Sequence, residues 1–141
     1  MREILFRGKR KDNGKWVEGY YARKGVDKDT FKHFICVMTF NVNGNTYSSM
    51  FYLTDIEVIP ETVGQYTGLT DKNGTKIFEG DVVMKRTYHK KKPCEVVFGV
   101  GCFHCGWGGG SSTKDHPYLL NDKQIEVIGN IHDNPELLKN N

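Results

Sequence analysis

The residues best suited to chemistry are two cysteines with two residues between them, Cys102 and Cys105. Thiolates at this spacing can reach one tetrahedral zinc ion, which needs two further ligands. A redox pair would need a helix N-terminus to lower the thiol pKa, and this stretch lacks one. The candidates for the further ligands are Cys94, His104, His116 and, less readily, His89. No second ligand pair has matched spacing, so ordinary thiols in a strand or loop are preferred over a structural zinc site.

A second candidate site is a basic stretch interleaved with Tyr88 and His89, predicted as a loop. Cationic side chains there could lie against phosphates, and binding would weaken with salt because counterions are released. The alternative interpretation is a solvated hairpin loop. Residues in the region 7–15 could extend the patch only if both halves of the chain face the same way. The tentative nucleic-acid-binding residues are Lys85, Arg86, Lys90, Lys91 and Lys92.

Catalytic constellations are weak. Glu79 and Asp81 flank Gly80, where a bend is expected, and such paired acids more often line a turn than exchange protons. No serine or cysteine has a visible base and orienting acid, and the glycine-rich stretch 108–112 lacks the lysine of a phosphate loop. We therefore expect no enzyme and no cofactor other than the zinc ion considered above.

Composition limits the alternatives further. The 141 residues are 38% hydrophobic and 12% aromatic, with a formal net charge of +3, too weak by itself to imply nucleic acid. No run of eighteen apolar residues and no charged-then-apolar leader is present, which predicts no membrane association and a cytoplasmic location. The cysteines are then expected as thiols.

Strand signals separated by Asn-Gly turns dominate the chain. Asn13-Gly14 predicts a hairpin, and a buried strand at 34–40 is expected to pair with 46–53 across the turn at Asn43-Gly44. Asn73-Gly74 suits a two-residue hairpin. The even spacing of the three turns is not interpreted as a full repeat, because the residues that flank the middle turn do not match, and shared turn chemistry explains the likeness of the first and third. Residues 101–113 are predicted as a mobile loop or a bulged crossing.

Two further signals complete the pattern. The aromatic residues of the strands are expected to pack in a core, with a stacking or partner surface as the alternative. Asn134 as N-cap and Pro135 at the first helical position predict a short helical turn near the C-terminus. The aromatic set is Trp16, Tyr20, Tyr21, Phe34, Phe40, Phe51, Tyr52, Phe78 and Phe98.

Four segments, in order along the chain, resemble the YopX family of phage and prophage proteins from Gram-positive bacteria. They lie at 2–9, 13–20, 64–81 and 126–138. The resemblance implies an SH3-like small β-barrel in the C-terminal half, phage or prophage origin and action in the bacterial cytoplasm. It implies no reaction. The cysteine pair at 102–105 departs from the family pattern.

The predicted fold is mainly β, with a hairpin-rich N-terminal part over 1–59, an SH3-like barrel over 60–141 and a short C-terminal helical turn. The predicted function is a small non-enzymatic interaction module that binds a host or phage protein. The alternative is nucleic-acid binding through 85–92. Self-association through exposed strands is a further expectation.

Overall fold

The computed structural model describes residues 1–42, 49–86, 91–99, 101–106 and 125–139, which are mainly β-strand. The strands form two antiparallel sheets of order β4-β3-β2-β1-β5-β6 and β10-β7-β8-β9. The described elements are β1 (Phe6–Lys9), β2 (Trp16–Gly25), β3 (Phe31–Val42), β4 (Ser49–Glu57), β5 (Gly64–Thr70), β6 (Lys76–Phe78), β7 (Asp81–Arg86), β8 (Lys91–Gly99), β9 (Cys102–Gly106), β10 (Glu126–Asn130), and 3-10 helices at Pro60–Thr62 and Pro135–Leu138.

The chain divides into two compact units. The first is Glu3–Gln65, and the second is Tyr66–Asn141 together with Met1–Arg2. Strand β5 crosses the division: its first two residues pair with β1, and its later residues pair with β6. The domain boundary expected near Pro60 stays a prediction.

The first unit confirms both expected strand pairings, and the turn expected at Asn43-Gly44 lies outside the described residues. Strands β1 and β2 pair around the turn at Asn13-Gly14, where Gly14 has a φ of +69°. Strand β3 pairs with β4 in an unbroken register from Phe34↔Glu57 to Val42↔Ser49. The residue after β4, Val58, bridges to Arg10, so the outer strands of this unit meet at one corner.

The second unit is built around the segment 64–81. Gly80 lies between β6 and β7 with a φ of +83°, which confirms a bend that favours glycine. Its amide donates to Val96 (2.8 Å) and its carbonyl accepts from Ile131 (2.9 Å). The bend therefore ties β7 to β8 and to the end of β10. Below it lies an apolar cluster of Ile77, Val83, Cys94, Val96, Cys105 and Ile125.

The turn at Asn73-Gly74 differs from the predicted two-residue hairpin. Asp71 accepts a bond from Gly74 (3.0 Å) and donates to Thr75 (2.8 Å), and Gly74 has a φ of +82°. The loop is longer because the Asp71 side chain organises it from inside. Near the C-terminus, Asn134 does not cap the Pro135–Leu138 helix with its side chain. Its side-chain oxygen instead accepts from the Asn130 amide (3.4 Å).

Among the described residues, no ladder closes either sheet into a barrel, so the SH3-like barrel stays a prediction. The helices that the structure describes are all too short and too polar to cross a membrane. The core prediction holds for Phe78, which is buried, but is wrong for Tyr20 and Phe98, which are 57% and 56% exposed. Strand periodicity places a side chain on a face, but the rest of the fold decides whether that face is covered.

Candidate functional site

The β8–β9 hairpin carries an aromatic pair at its closed end. Phe98 lies directly opposite Phe103 in the ladder. Their rings pack edge to face, with 5.0 Å between the ring centroids. Phe103 packs against the apolar cluster of the second unit, whereas Phe98 is largely exposed. A ring held on one edge by a core residue and open on the other offers a preorganised apolar contact.

The other end of β8 carries the predicted cationic residues, but in strands rather than in a loop. The register of β7 and β8 places Lys85 opposite Lys92 and Arg86 opposite Lys91. Like charges directly opposite each other are unfavourable in an antiparallel pair. The basic-loop prediction is therefore corrected for these four positions, which form two facing cationic pairs. Lys90 lies outside the described residues.

The cysteine pair is also in a strand. Cys102 and Cys105 belong to β9, so the expected loop over 101–113 is wrong for 102–106. Side chains three residues apart in a strand point to opposite faces, because successive residues alternate. Cys105 is buried in the apolar cluster, whereas Cys102 is half-buried with its sulfur 3.7 Å from the Gly99 carbonyl. These two thiolates could bind the same ion only if the backbone of β9 had a different conformation.

The other proposed ligands do not complete a site within the described residues. Cys94 is buried on the same face as Cys105, since Cys94 and Val96 share a face and Val96 pairs with Cys105. No group of three metal-binding side chains occurs in the part of the chain that the structure describes. None of the four cysteines is in a disulfide. His89 and His116 lie outside the described residues, and the zinc hypothesis stays a prediction.

Carboxylates in the segment 64–81 accept hydrogen bonds from backbone amides. Asp81 is 1% exposed and accepts a bond from the Phe78 amide (2.8 Å). This contact makes it part of the corner that Gly80 forms. Burial raises the pKa of Glu95, and the carboxylate of Glu79 raises it further. Glu79 and Asp81 therefore flank the bend at Gly80 on its two sides, and the Asp81 side chain is the buried one.

Asp71 is the residue that sequence reasoning missed. One carboxylate oxygen accepts from the amides of Asn73 (2.8 Å) and Thr75 (2.9 Å), and the other accepts from Val127 (3.0 Å). Burial favours a higher pKa, but these three donors outweigh it and hold the pKa of Asp71 below its ordinary value. The signal was available, because an Asp two residues before a glycine-containing turn commonly binds backbone amides ahead of it.

In the first unit, the basic residues of 7–15 are engaged locally. Arg10 pairs with Asp12 (2.7 Å) and Lys11 with Glu57 (3.0 Å). The guanidinium of Arg7 lies 4.7 Å from the centre of the Trp16 ring. Acidic partners therefore pair with Arg10 and Lys11, whereas Arg7 packs on an aromatic ring, and the region is a mixed polar surface.

The first unit also exposes apolar side chains on one sheet face. Met38 and Leu53 lie opposite each other in β3 and β4, with exposures of 59% and 61%. Tyr20 lies opposite Cys36, two residues from Met38 on the same face. We call Tyr20, Met38 and Leu53 the apolar ridge. The sequence predicted a buried strand around Met38 and a core position for Tyr20.

Comparisons with known proteins agree with this architecture. The sequence model of the YopX family, described as YopX protein, matches residues 5–139. The chain is similar to the crystal structure of protein EF1440 from Enterococcus faecalis, with a TM-score of 0.57 and 25% sequence identity. That similarity covers 98% of this chain and 99% of the other. No curated protein matches the chain.

Proposed function

This chain belongs to the YopX family, and we propose that it is a phage-encoded interaction module without enzymatic activity. In this proposal it acts in the bacterial cytoplasm and binds a host or phage protein through the β8–β9 hairpin. The observation that carries the proposal is Phe98, which is 56% exposed although its ring is held by Phe103. Exposed aromatic anchors in fixed positions are typical of protein-binding surfaces.

The strand order of the second sheet supports a small barrel in this part of the chain. Strands β7, β8 and β9 form a meander, and β10 returns to the free side of β7. A last strand that returns beside the first is the arrangement that a small closed barrel requires. We therefore extend the proposal to an SH3-like barrel within residues 60–141. An experimental structure with a closed ladder in that range is the expected result, and two open sheets would contradict the barrel.

The test of protein binding is an affinity pull-down from infected host cells after nuclease treatment. We expect the wild-type chain to retain a partner that Phe98→Ser loses, because the substitution removes the exposed ring. Val26→Ser is the matched control, since Val26 is 57% exposed in the other unit. Recovery of the same proteins with Phe98→Ser and with wild type would exclude the hairpin as the binding surface.

The second candidate function is nucleic-acid binding, favoured by the two facing cationic pairs of β7 and β8. A polyanion lying along this part of the ladder would be attracted by all four cationic residues. In the neighbouring strand β10, Glu126 lies opposite Met84, and its carboxylate lies 2.5 Å from Lys72. Four phosphate contacts would give a slope of log affinity against log salt of roughly −3 to −4.

The test is fluorescence anisotropy with labelled single-stranded and duplex DNA and with RNA, over a range of salt. Lys91→Ala with Lys92→Ala should weaken binding and reduce the slope by about 2, because two phosphate contacts are lost. Lys28→Ala with Lys32→Ala is the control, since both lysines are exposed and belong to the other unit. Absence of binding at low salt rejects this function.

A further inference from the structure

We propose that a second copy of this chain pairs with the outer edge of β4, around a two-fold axis that passes beside Leu53. The two copies would join antiparallel, so that their first-unit sheets become one. The proposed interface uses none of the residues of the β8–β9 hairpin and does not depend on the function proposed above. Three observations support it: an open strand edge, the direction of its backbone groups, and the position of the apolar ridge.

The open edge is long and regular. Strand β4 pairs with β3 along its whole length without a register shift. Among the described residues, its outer side is occupied only where the strand ends, by the Lys11 amide that donates to the Glu57 carbonyl (3.0 Å). Residues 49–54 contain no lysine, arginine or proline and no bulge, the usual features that protect an edge from pairing.

The backbone direction then shows which residues of β4 can pair with another strand. The Glu57 carbonyl points outward to Lys11, whereas the Val58 amide points inward to His33 (2.9 Å). Because these directions alternate along a strand, the outward groups of β4 belong to Asp55, Leu53 and Phe51. An antiparallel copy centred on Leu53 places Leu53 opposite Leu53 of the partner subunit and Phe51 opposite Asp55 of the partner subunit. These pairs make about six backbone hydrogen bonds.

The apolar ridge has the same centre. Leu53 and Met38 are adjacent on one face and are the two most exposed apolar side chains of the described first-unit strands. Pairing about Leu53 places Leu53 beside Leu53 of the partner subunit, with Met38 one strand further from the axis on each side, so the two ridges form one continuous apolar row. Of the residues whose backbone groups face outward, Leu53 is therefore placed at the axis, because its exposed apolar side chain gains from burial.

Charge agrees with the two-fold arrangement. The acidic residues of β4, Asp55 and Glu57, both lie in its second half. Antiparallel pairing sends them to opposite ends of the joint, whereas a parallel in-register pairing would place equal charges side by side. Lys24 pairs with Asp55 and Lys11 with Glu57 within the same chain, so neither acid brings an unneutralised charge to the interface.

The first test is the mass of the full chain in solution, measured by sedimentation equilibrium from micromolar to submillimolar concentration. We expect a dimer for wild type and a monomer for Leu53→Lys, because two lysines would then oppose each other at the axis. Val26→Lys is the control, with similar exposure away from β4. Circular dichroism checks that each variant retains its strands. A wild-type monomer at every concentration, or a dimer that persists in a folded Leu53→Lys, overturns the proposal.

A second test does not depend on the Leu53→Lys variant. Leu53→Cys in a Cys102→Ser background should give a symmetric cross-linked dimer with a short thiol-specific linker, since the two introduced thiols face each other. Val26→Cys in the same background should stay uncross-linked. Equal cross-linking of the two variants would place the contact elsewhere. Loss of partner capture by Phe98→Ser leaves both outcomes unaffected, so the two proposals fail separately.

Discussion

Asp27 in the first unit and Asp71 in the second perform the same local task in different surroundings. Asp27 accepts bonds from the amides of Asp29 (3.0 Å) and Thr30 (2.8 Å) in the turn between β2 and β3, and it is exposed. Asp71 binds two amides of its own turn and a third from β10, and it is only 8% exposed. The first shapes a turn, whereas the second also joins that turn to a distant strand.

The two units differ in the same way in where they place their charged side chains. The second unit places carboxylates inside, where their bonds to backbone amides are strong and the penalty for losing them is large. The first unit keeps its ion pairs at the surface and leaves the apolar ridge exposed. Its strands fit closely, since a Cβ atom added at Gly19 would meet the Cys36 backbone. Four substitutions test this contrast.

The largest effect is expected from Gly19→Ala in the first unit. A Cβ atom at Gly19 would lie 2.4 Å from the Cys36 carbonyl oxygen, a backbone atom that cannot move without disturbing the β2–β3 ladder. We expect a loss of at least about 3 kcal/mol in the free energy of unfolding, measured by urea titration. Gly25→Ala in the same strand is the control, because its nearest contact is 3.7 Å. Equal stability of the two variants would show that the strands are not tightly fitted.

The next effect is expected from Asp71→Ala in the second unit. Three amide donors lose a charged acceptor in a buried setting, so we expect a loss of about 3 kcal/mol in the free energy of unfolding. Asp27→Ala should cost only a small fraction of this, because water replaces the lost acceptor at an exposed turn. The same urea titration measures both, and similar losses would remove the distinction between the two turns.

The loss of stability at acidic pH should also differ between Asp71 and Asp27, by a smaller amount. The pKa of Asp71 is lowered on folding, so its contribution is complete above the unfolded pKa of about 3.9 and is lost as pH falls through the folded value. Asp71→Asn should therefore flatten the acid limb of stability against pH, measured by urea titration between neutral and acidic pH. The pKa of Asp27 is also lowered, chiefly by the Asp29 amide. Asp27→Asn should flatten that limb less, and the reverse order would contradict the assignment.

The smallest effect concerns the cysteines. Because Cys102 and Cys105 point to opposite faces of β9, we expect Cys102→Ser to leave zinc content and the melting temperature unchanged. Chelator treatment should be equally without effect. Elemental analysis of protein purified without chelators provides the measurement. Stoichiometric zinc that Cys102→Ser abolishes would show that the two thiolates share an ion.

Much of the fold was predictable because its turns are locally encoded. Asn13-Gly14 and the bend at Gly80 need conformations that favour glycine, and both appear where the sequence predicts them. The limits of local reasoning appear beside Asn73-Gly74, where Asp71 also accepts a bond from the Val127 amide, 56 residues away. Such a partner has no signature near Asp71 in the sequence.

The candidate sites were less predictable for the same reason. Lys85, Arg86, Lys91 and Lys92 were recognised as a group, but their facing arrangement depends on the β7–β8 register. Spacing indicated a metal-binding pair at Cys102 and Cys105, and the strand separates the two thiols. Phe98 and Tyr20 have the same alternating sequence pattern as core residues. They are exposed because, in the described structure, no other segment of the protein covers them.

The sequence by itself determined the family, the mainly β composition and the positions of the principal turns, because backbone preferences act over a few residues. The tertiary structure decided which carboxylates are buried, which cationic residues face each other and which edge of β4 remains open. These properties depend on pairing between residues far apart in the chain. Alternation assigns each strand side chain to a face, and only the assembled sheet decides which face is covered.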